Sequence, residues 1–482
     1  VKAVLILGNQ LLEHHPALDD NSVDVIIMIE AQDLCQKLPY HSHKLVLLLS
    51  AMRHYCAQIE KNDKKVIYAT LSQTPSFIQS LKSIITENNI NLLSWMKSSD
   101  ASPNQRLTEL TAELKIDHEI YPNKMFLTPE SELIDWFDRQ KSPLMENFYH
   151  WQRQRTGILM SDDKPVGGRW NYDSDNRLAL PKNGLTIPKV LSPVHDVITK
   201  QVINDVQVYF PTHPGTANNF WLPVSHTEAG QWLRSFIDER FSQFGPYEDA
   251  MKDGESFLFH SVLSPLINCG LLSVQQIIEA TLYAYESKHI EINSVEGFIR
   301  QLIGWREYMY GLYLTEPSMI AENYFGFNKQ LEDWWYSADC LNQDLPIPLL
   351  NALRTVHAYG YNHHIERLMV LGNWFLLNEY DPKSVYRWFS SMYVDAYEWV
   401  MVPNVIGMSQ YADGGRTATK PYISGGNYLQ KMGRWWPNAA QAKDSPFTSL
   451  YWQFLQNNYD KLQSNFRMSL ALKQAALRMK QD

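Results

Sequence analysis

Residues 355–377 read TVHAYGYNHHIERLMVLGNWFLL, and they set two adjacent histidines, His363 and His364, into an otherwise apolar pattern. Tyr361, His364 or Ile365, Leu368, Leu371 or Gly372 and Phe375 recur at helical spacing, so the pattern predicts one continuous helix with His364 bordering its inward face. A histidine gives or takes a proton near neutral pH, and two together can hold one proton while the other ring stays neutral. Taken alone, such a pair reads first as hydrogen-bonded core histidines, because neighbours on a helix diverge by about 100°.

Around this stretch the second half of the chain is helical throughout. TEAGQWLRSFIDERFSQF, SVQQIIEATLYAYESK, VEGFIRQLIGWREYMYGLY, PIPLLNALRTVHAYGYNHHIERLMVLGNWFLL and PKSVYRWFSSMYVDAYEWVMV are successive helical patterns broken by Gly, Pro and Asn. The first 128 residues alternate instead. VKAVLIL, VDVIIMI, KKVIYAT, INLLSWM and HEIYP read as strands, with helical segments between them, which predicts a parallel α/β sheet. Neither GxGxxG nor GxxxxGK[ST] follows the first strand, so the usual dinucleotide and P-loop fingerprints are absent. Between these halves, residues 129–224 read as an interdomain linker rich in Pro, Gly, Asn and Asp, with Arg169, Arg177, Lys182 and Lys189 as a candidate phosphate-facing edge. The expected organisation is therefore an α/β domain over 1–128, a linker over 129–224 and a helical domain over 225–482.

Composition narrows the classes. With 45% hydrophobic and 20% charged residues the 482-residue chain is globular rather than disordered, and long enough for two or three domains. Its 15 Trp and 26 Tyr exceed what packing usually demands and hint at a planar ligand, stacked bases or electron transfer. Cys35, Cys56, Cys269 and Cys340 show no CxxC spacing, so neither a zinc knuckle nor a disulfide framework is written here, and a reducing cytoplasm is expected. No signal peptide opens the chain and no apolar run can span a bilayer, so a soluble, cytoplasmic protein with no membrane and no evident obligate protein partner is expected. The net charge of -9 excludes a uniformly basic coat, but phosphate binding depends on a local patch.

Several motifs carry chemistry. FHSVLSPLINCGLLS places Ser261 and Ser264 before a helix, where hydroxyls and backbone N–H groups suit a diphosphate or serve as plain caps. Trp305, Arg306 and Glu307 sit inside an apolar helix, implying a buried ion pair or a ligand contact. Gly414, Gly415, Arg416, Lys420, Gly425, Gly426, Lys431 and Arg434 form a flexible basic segment suited to phosphates. LSP, then WRE, then PIPLLNALRT leading into GYNHHIER, then DAYEW, together with GRWNYD, VPNVIGMSQYADGG and TKPYISGGNY, resembles the photolyases and cryptochromes over nearly the whole chain. The closest resemblance is to the prokaryotic (6-4) photolyase group of deoxyribodipyrimidine photolyase-related proteins.

That resemblance implies FAD in the helical domain and light-driven electron donation to a (6-4) pyrimidine photoproduct in UV-damaged DNA; a cryptochrome-type blue-light photoreceptor without repair is the alternative. It implies His363 and His364 as the active-site pair, with His364 the better proton donor, and Tyr422 and Met408 facing the lesion. It likewise implies Arg367 and Asp395 beside the isoalloxazine, Ser261, Leu263 and Ser264 on the phosphate side, Arg306 as a further cofactor contact, and Trp388 as the ring nearest the flavin. Arg416, Lys420, Lys431 and Arg434 are expected to meet DNA. A positioned general acid suits the movement of a hydroxyl between two bases, and a poorly stacked lesion costs less to flip out.

Three departures follow. Positions corresponding to the group's cluster-binding cysteines carry Pro348, Trp436, Ala439 and Ser445, so no iron–sulfur cluster and no metal are expected, with Trp435, Trp436 and Pro437 filling the space. Met401 stands where the wider superfamily often has a polar residue facing flavin N5. The group's 6,7-dimethyl-8-ribityllumazine antenna relies on a glutamate after the second strand, where this sequence offers Glu30, Asp33 and Leu34.

Overall fold

A computed structural model of the chain describes residues 1–62 and 64–478. Five strands, β1 (Lys2–Leu5), β2 (Val25–Ile29), β3 (Val66–Ala69), β4 (Leu92–Met96) and β5 (Asp117–Tyr121), pair in parallel in the order β3-β2-β1-β4-β5. β2 is apolar and buried at every position, as a strand covered on both faces must be. β5 closes one edge with exposed Asp117, His118 and Glu119, charges that discourage further pairing. Helices α1 (Ser42–Glu60), α2 (Phe77–Glu87) and α3 (Ala101–Leu114) return the chain between strands. Strand order reverses direction between β1 and β4, and at such a switch point the loops leaving neighbouring strands diverge into a crevice. A cavity of about 600 Å³ lies there, lined by Ile6–Asn9 after β1, Ile29–Ala31 after β2, and Tyr397 and Glu398 from the helical half.

Residues 130–224 contain the helices Glu130–Asp138, Met145–Thr156 and Val197–Tyr209, while 169–196 run without α-helix or strand. Arg169 and Arg177 in this stretch pair with Asp175 and Asp173. One apolar cluster joins Met28, Leu45 and Tyr55 to Val202, Trp232, Leu266 and Phe298, so α1 packs directly on the helical half.

The expected continuous helix through 355–377 is instead two. A first helix, Ile347–Tyr359, stops at Gly360, whose φ of 64° belongs to the left-handed region glycine tolerates. A Cβ at that position would meet Val394 at 2.8 Å, so close packing as well as conformation requires glycine. Residues 360–363 lie outside the helical spans, and a second helix starts at His364. This reverses the expected facing: His363 is fully buried, whereas the His364 side chain is 49% exposed. Three stretches, Arg300–Arg306, Glu366–Gly372 and Val402–Ser409, widen to π-helical turns. Such turns recur at functional sites because they displace side chains from the regular spacing.

Candidate active site

The break after Tyr359 builds the site. His363 lies in it with neither ring nitrogen hydrogen-bonded, and its ring stacks on that of His260 at 4.5 Å and 6°. His364, one residue later, turns outward and brings Nε2 to 3.5 Å from Asp249 Oδ1. Burial pushes His260 and His363 well below the ordinary imidazole range, helped by the ionisable rings and guanidinium groups around them: His363, His364 and Arg240 beside the first, His364 and Arg367 beside the second. For His364 burial also opposes the charge, but the Asp249 carboxylate and the nearby Glu248 outweigh it, and its pKa is raised. Within the cluster the directions therefore diverge, lowered for His260 and His363 and raised for His364. Ring nitrogens of all three lie within 4.8 Å of one another. Metal ligation needs in-plane lone pairs that converge on a point about 2 Å away; the stacked planes of His260 and His363 keep theirs parallel.

Behind His363 stands Glu366, fully enclosed, its carboxylate accepting amide hydrogens from Asn351 (3.1 Å) and Asn362 (2.8 Å). Burial pushes it up to about 7. Arg367 turns to the other side and donates two hydrogen bonds to Asp395 at 2.9 and 3.0 Å, and a third to the Asn362 carbonyl at 2.7 Å. Its guanidinium lies over Tyr393 (4.2 Å) and Tyr361 (4.9 Å). Ser264 Oγ–H donates to Asp395 Oδ2 at 2.6 Å, which ties the helix Ser264–Cys269 to the same carboxylate. Asn268 links this network onward, donating to the Asp395 carbonyl and accepting from Arg306 at 3.1 Å.

Arg306 and Glu307 do not pair with each other. Arg306 also donates to the Met125 carbonyl, its guanidinium lies against Phe126 (4.5 Å) and Trp399 (4.7 Å), and burial lowers it to about 10. Glu307 caps the backbone N–H groups of Leu127 and Thr128 at 3.0 Å each. Leu263 is buried just before the helix Ser264–Cys269, and the Ser261 carbonyl accepts from Trp232. Met401 is buried, and Met408 and Tyr422 are half-buried against the apolar cluster that contains it.

Trp388 is fully enclosed and donates its indole N–H to the Trp335 carbonyl at 2.9 Å. The rings of Trp388 and Trp335 are 6.5 Å apart, and Trp335 stacks on half-exposed Trp334 at 4.3 Å, giving three indoles that lead outward. The basic segment divides. Arg416 is held by Glu316 and Glu322, and Arg434 donates to the Leu180 carbonyl, while Lys420 and Lys431 are exposed. At the positions without cysteine, Pro348 and Ser445 are buried, Trp436 is half-buried and Ala439 is exposed. Trp435 packs in one apolar cluster with Trp374 and Phe447, but Pro437 is exposed and fills nothing.

The fold thus joins Ser264, Asn268, Arg306, Arg367 and Asp395 into one hydrogen-bonded network, with His363 and His364 a few residues before Arg367 but outside those bonds. Sequence reasoning missed His260 and Asp249. Each lies over a hundred residues from its partner, and the one available signal was an ionisable residue beside the Ser261 segment. Orphaned buried polar atoms, the His363 ring nitrogens and Arg306 Nε, occur on the segments that carry this network. Together with the side-by-side donor and acceptor of Arg367 and Asp395, they fit a polar planar group such as a flavin.

The sequence profile of the family described as deoxyribodipyrimidine photo-lyase-related protein matches residues 4–222. A (6-4) photolyase of Agrobacterium fabrum is 37% identical over 488 aligned positions, covering 97% of this chain and 94% of that protein. Among solved structures, a class III photolyase from Agrobacterium tumefaciens superposes with a TM-score of 0.55 at 18% identity, covering 84% of this chain and 78% of the other. A Synechocystis cryptochrome superposes at 0.57 with 14% identity, covering 96% and 94%. No helix among the described residues is long and apolar enough to cross a membrane.

Proposed function

We propose that this chain, which belongs to the deoxyribodipyrimidine photolyase-related family of the cryptochrome/photolyase superfamily, repairs (6-4) pyrimidine photoproducts in UV-damaged DNA under blue light. The observation that carries the reading is the placement of the histidines at the broken helix, His364 outward beside Asp249 and His363 inside against His260. His364 is half-exposed with Nε2 3.5 Å from Asp249 Oδ1 and its pKa raised, while His363 and His260 behind it are buried with theirs lowered. A general acid must reach its substrate and hold its proton, and the exposure of His364 favours the first while the Asp249 carboxylate favours the second.

Ser264, Arg367 and Asp395, supported by Asn268 and Arg306, would hold FAD, which supplies a light-excitable one-electron donor when bound. Asp395 is fixed by three hydrogen bonds, so it presents a set geometry rather than adapting to its ligand. Trp388, Trp335 and Trp334 offer a relay of indoles for replenishing electrons from the surface. On the other side His364 gives its proton to the hydroxyl being transferred, Asp249 stabilises the cation beforehand, and His363 holds the neighbouring ring in place. Tyr422 and Met408 border the space for the flipped base, and Lys420 and Lys431 are free to meet phosphates. Because a flipped lesion must reach an accessible donor, the outward turn of His364 is consistent with repair.

The cavity between the sheet and the helical half supports a second chromophore as a light-gathering antenna. The decisive experiment illuminates the reduced protein with oligonucleotides carrying one defined (6-4) photoproduct or one cyclobutane dimer. Restoration of the (6-4) substrate is expected; flavin photochemistry without restoration of either lesion would instead favour a photoreceptor.

A further inference from the structure

The indole N–H groups of Trp388 and Trp335 face different acceptors. Trp388 donates to the Trp335 backbone carbonyl, which is too weak a base to take a proton away. Trp335, itself buried, donates Nε1–H to Glu332 Oε2 at 2.9 Å. The turn that begins at Glu332 sets this geometry, because the Trp335 backbone N–H closes on the Glu332 carbonyl at 3.1 Å and brings the carboxylate to the indole edge. Tyr380, buried and 48 residues farther along the chain, donates its hydroxyl to the same Glu332 Oε2 at 3.0 Å. One carboxylate oxygen thus receives an indole and a phenol at once. Glu332 is exposed, so a proton placed on it has a way to water.

The charges around the rings differ in sense. Trp335 stacks on Trp334 at 4.3 Å and 25°, and two stacked indoles share a positive charge that a lone ring would carry alone. The Glu332 carboxylate at the indole edge favours that charge further. Tyr380, whose ring lies 6.3 Å from that of Trp335, has Lys329 Nζ 4.0 Å from its ring centroid, and a cation there opposes a second positive charge on the ring. Burial first, then the hydrogen bond and charge of Glu332, raise the Tyr380 phenol, so it keeps its proton at rest. Tyr380 can therefore release an electron only as its proton leaves, and among the described residues its hydroxyl donates to Glu332 alone.

We propose that Glu332 is the proton acceptor of the indole relay and Tyr380 its terminal electron donor. The proposal rests on the relay reading above and accounts for the proton that accompanies the electron. Trp388 gives one electron to the light-excited oxidised flavin and takes one from Trp335. The Trp335 radical cation passes its Nε1 proton to Glu332, leaving a neutral indole radical and a carboxylic acid. One electron then moves from Tyr380 to Trp335, while Glu332 returns the proton to Nε1 and takes the one from the Tyr380 hydroxyl. The products are a neutral tyrosyl radical and protonated Glu332. A thiol in solution restores both: its thiolate gives one electron by way of half-exposed Trp334, and Glu332 hands its proton back to Tyr380. Loss of the indole proton removes the positive charge that would draw the transferred electron back.

The test follows the full-length protein with oxidised flavin by flash absorption, without added reductant, and identifies the trapped radical by electron paramagnetic resonance. In the native protein the indole radical cation should give way to a neutral indole radical and then to a tyrosyl radical, and deuterated water should slow the first of these steps. Glu332→Gln keeps the size and a hydrogen-bond acceptor but removes the base. There the indole cation should persist, and the separated charges should recombine at least tenfold faster than in the native protein. In Tyr380→Phe the neutral indole radical should form at the native rate and remain the end state. Thermal melting and flavin content establish that each variant is folded and loaded. Loss of the indole proton at the same rate in Glu332→Gln and native protein would overturn Glu332 as the acceptor, and an undiminished tyrosyl signal in Tyr380→Phe would overturn Tyr380 as the terminal donor. An indole radical that survives Trp388→Phe undiminished would overturn the relay on which the proposal rests. Repair of the (6-4) substrate by chemically reduced native protein reports separately on the repair reading.

Discussion

Asp249→Asn removes one charge from the pair at the front of the broken helix with little change in size. In the native protein burial pushes His364 toward neutrality and the Asp249 carboxylate, with Glu248 behind it, pulls it back and beyond, so its pKa is raised. Without Asp249 the burial effect is less opposed, and His364 returns toward or below the ordinary value. An imidazole at the ordinary value of about 6.5 is only about one-tenth protonated at pH 7.5. If the protonated ring is the working form, a return to the ordinary value should lower repair by the pre-reduced variant at pH 7.5 by at most roughly tenfold, less than the about 100- to 10,000-fold that general acid catalysis supplies in full. The deficit should shrink as pH falls toward 5.5, because both proteins are then protonated. The sign for stability agrees. A histidine with a raised folded pKa stabilises the fold below its unfolded pKa and loses that contribution as pH rises through the folded pKa. Asp249→Asn should therefore cost more stability at pH 6 than at pH 9. The measurement is the repair yield of a defined (6-4) oligonucleotide under single-turnover illumination from pH 5.5 to 8.5, with flavin content as a control. An alkaline limb at the same pH in variant and native protein would refute the assignment of the proton to His364.

His364→Ala should abolish (6-4) repair while flavin content and binding to damaged DNA survive, both measured on the same preparation; near-native yield would return the ring to a packing role. Trp388→Phe should slow photoreduction of the oxidised flavin, followed by absorbance, yet leave repair by pre-reduced protein largely intact, since Trp388 contacts Trp335 and Phe375 rather than the half-exposed His364 side. Asp395→Asn strips the counter-charge from Arg367, whose side chain is only 19% exposed, and breaking a buried pair costs about 3–5 kcal/mol. Urea denaturation should show that loss together with release of flavin, and an unchanged midpoint would mean that Arg367 finds another partner. Metal analysis of the purified protein should find no stoichiometric iron, because Pro348, Trp436, Ala439 and Ser445 offer no thiolate.

The sequence by itself determined the architecture. Alternating apolar runs and helical periods mark all five strands and the three helices between them, most plainly β1, β2 and β4 in the middle of the sheet, where burial on both faces leaves an unmistakable composition, while β3 and β5 are the edges. Motif order, from LSP to GNY, placed the chain in its family without any contact being known. Which cations still face solvent was not legible: Arg416 looked like a DNA contact, but Glu316 and Glu322, about a hundred residues earlier, already hold it.

The facing of the two histidines was decided only by tertiary structure. Helical periodicity put His364 inward, but Gly360 in the left-handed region breaks the helix, and close packing on Val394 fixes the break. The restart at His364 turns that ring out toward Asp249 and leaves His363 inside against His260. Protonation followed the same course. A histidine's pKa is set by which charges surround it and how much water it keeps, and those are properties of residues brought together from 103 to 115 positions away in the chain. Periodicity reports which side of an element is apolar, but it carries no information about where the element stops or what it meets across the core.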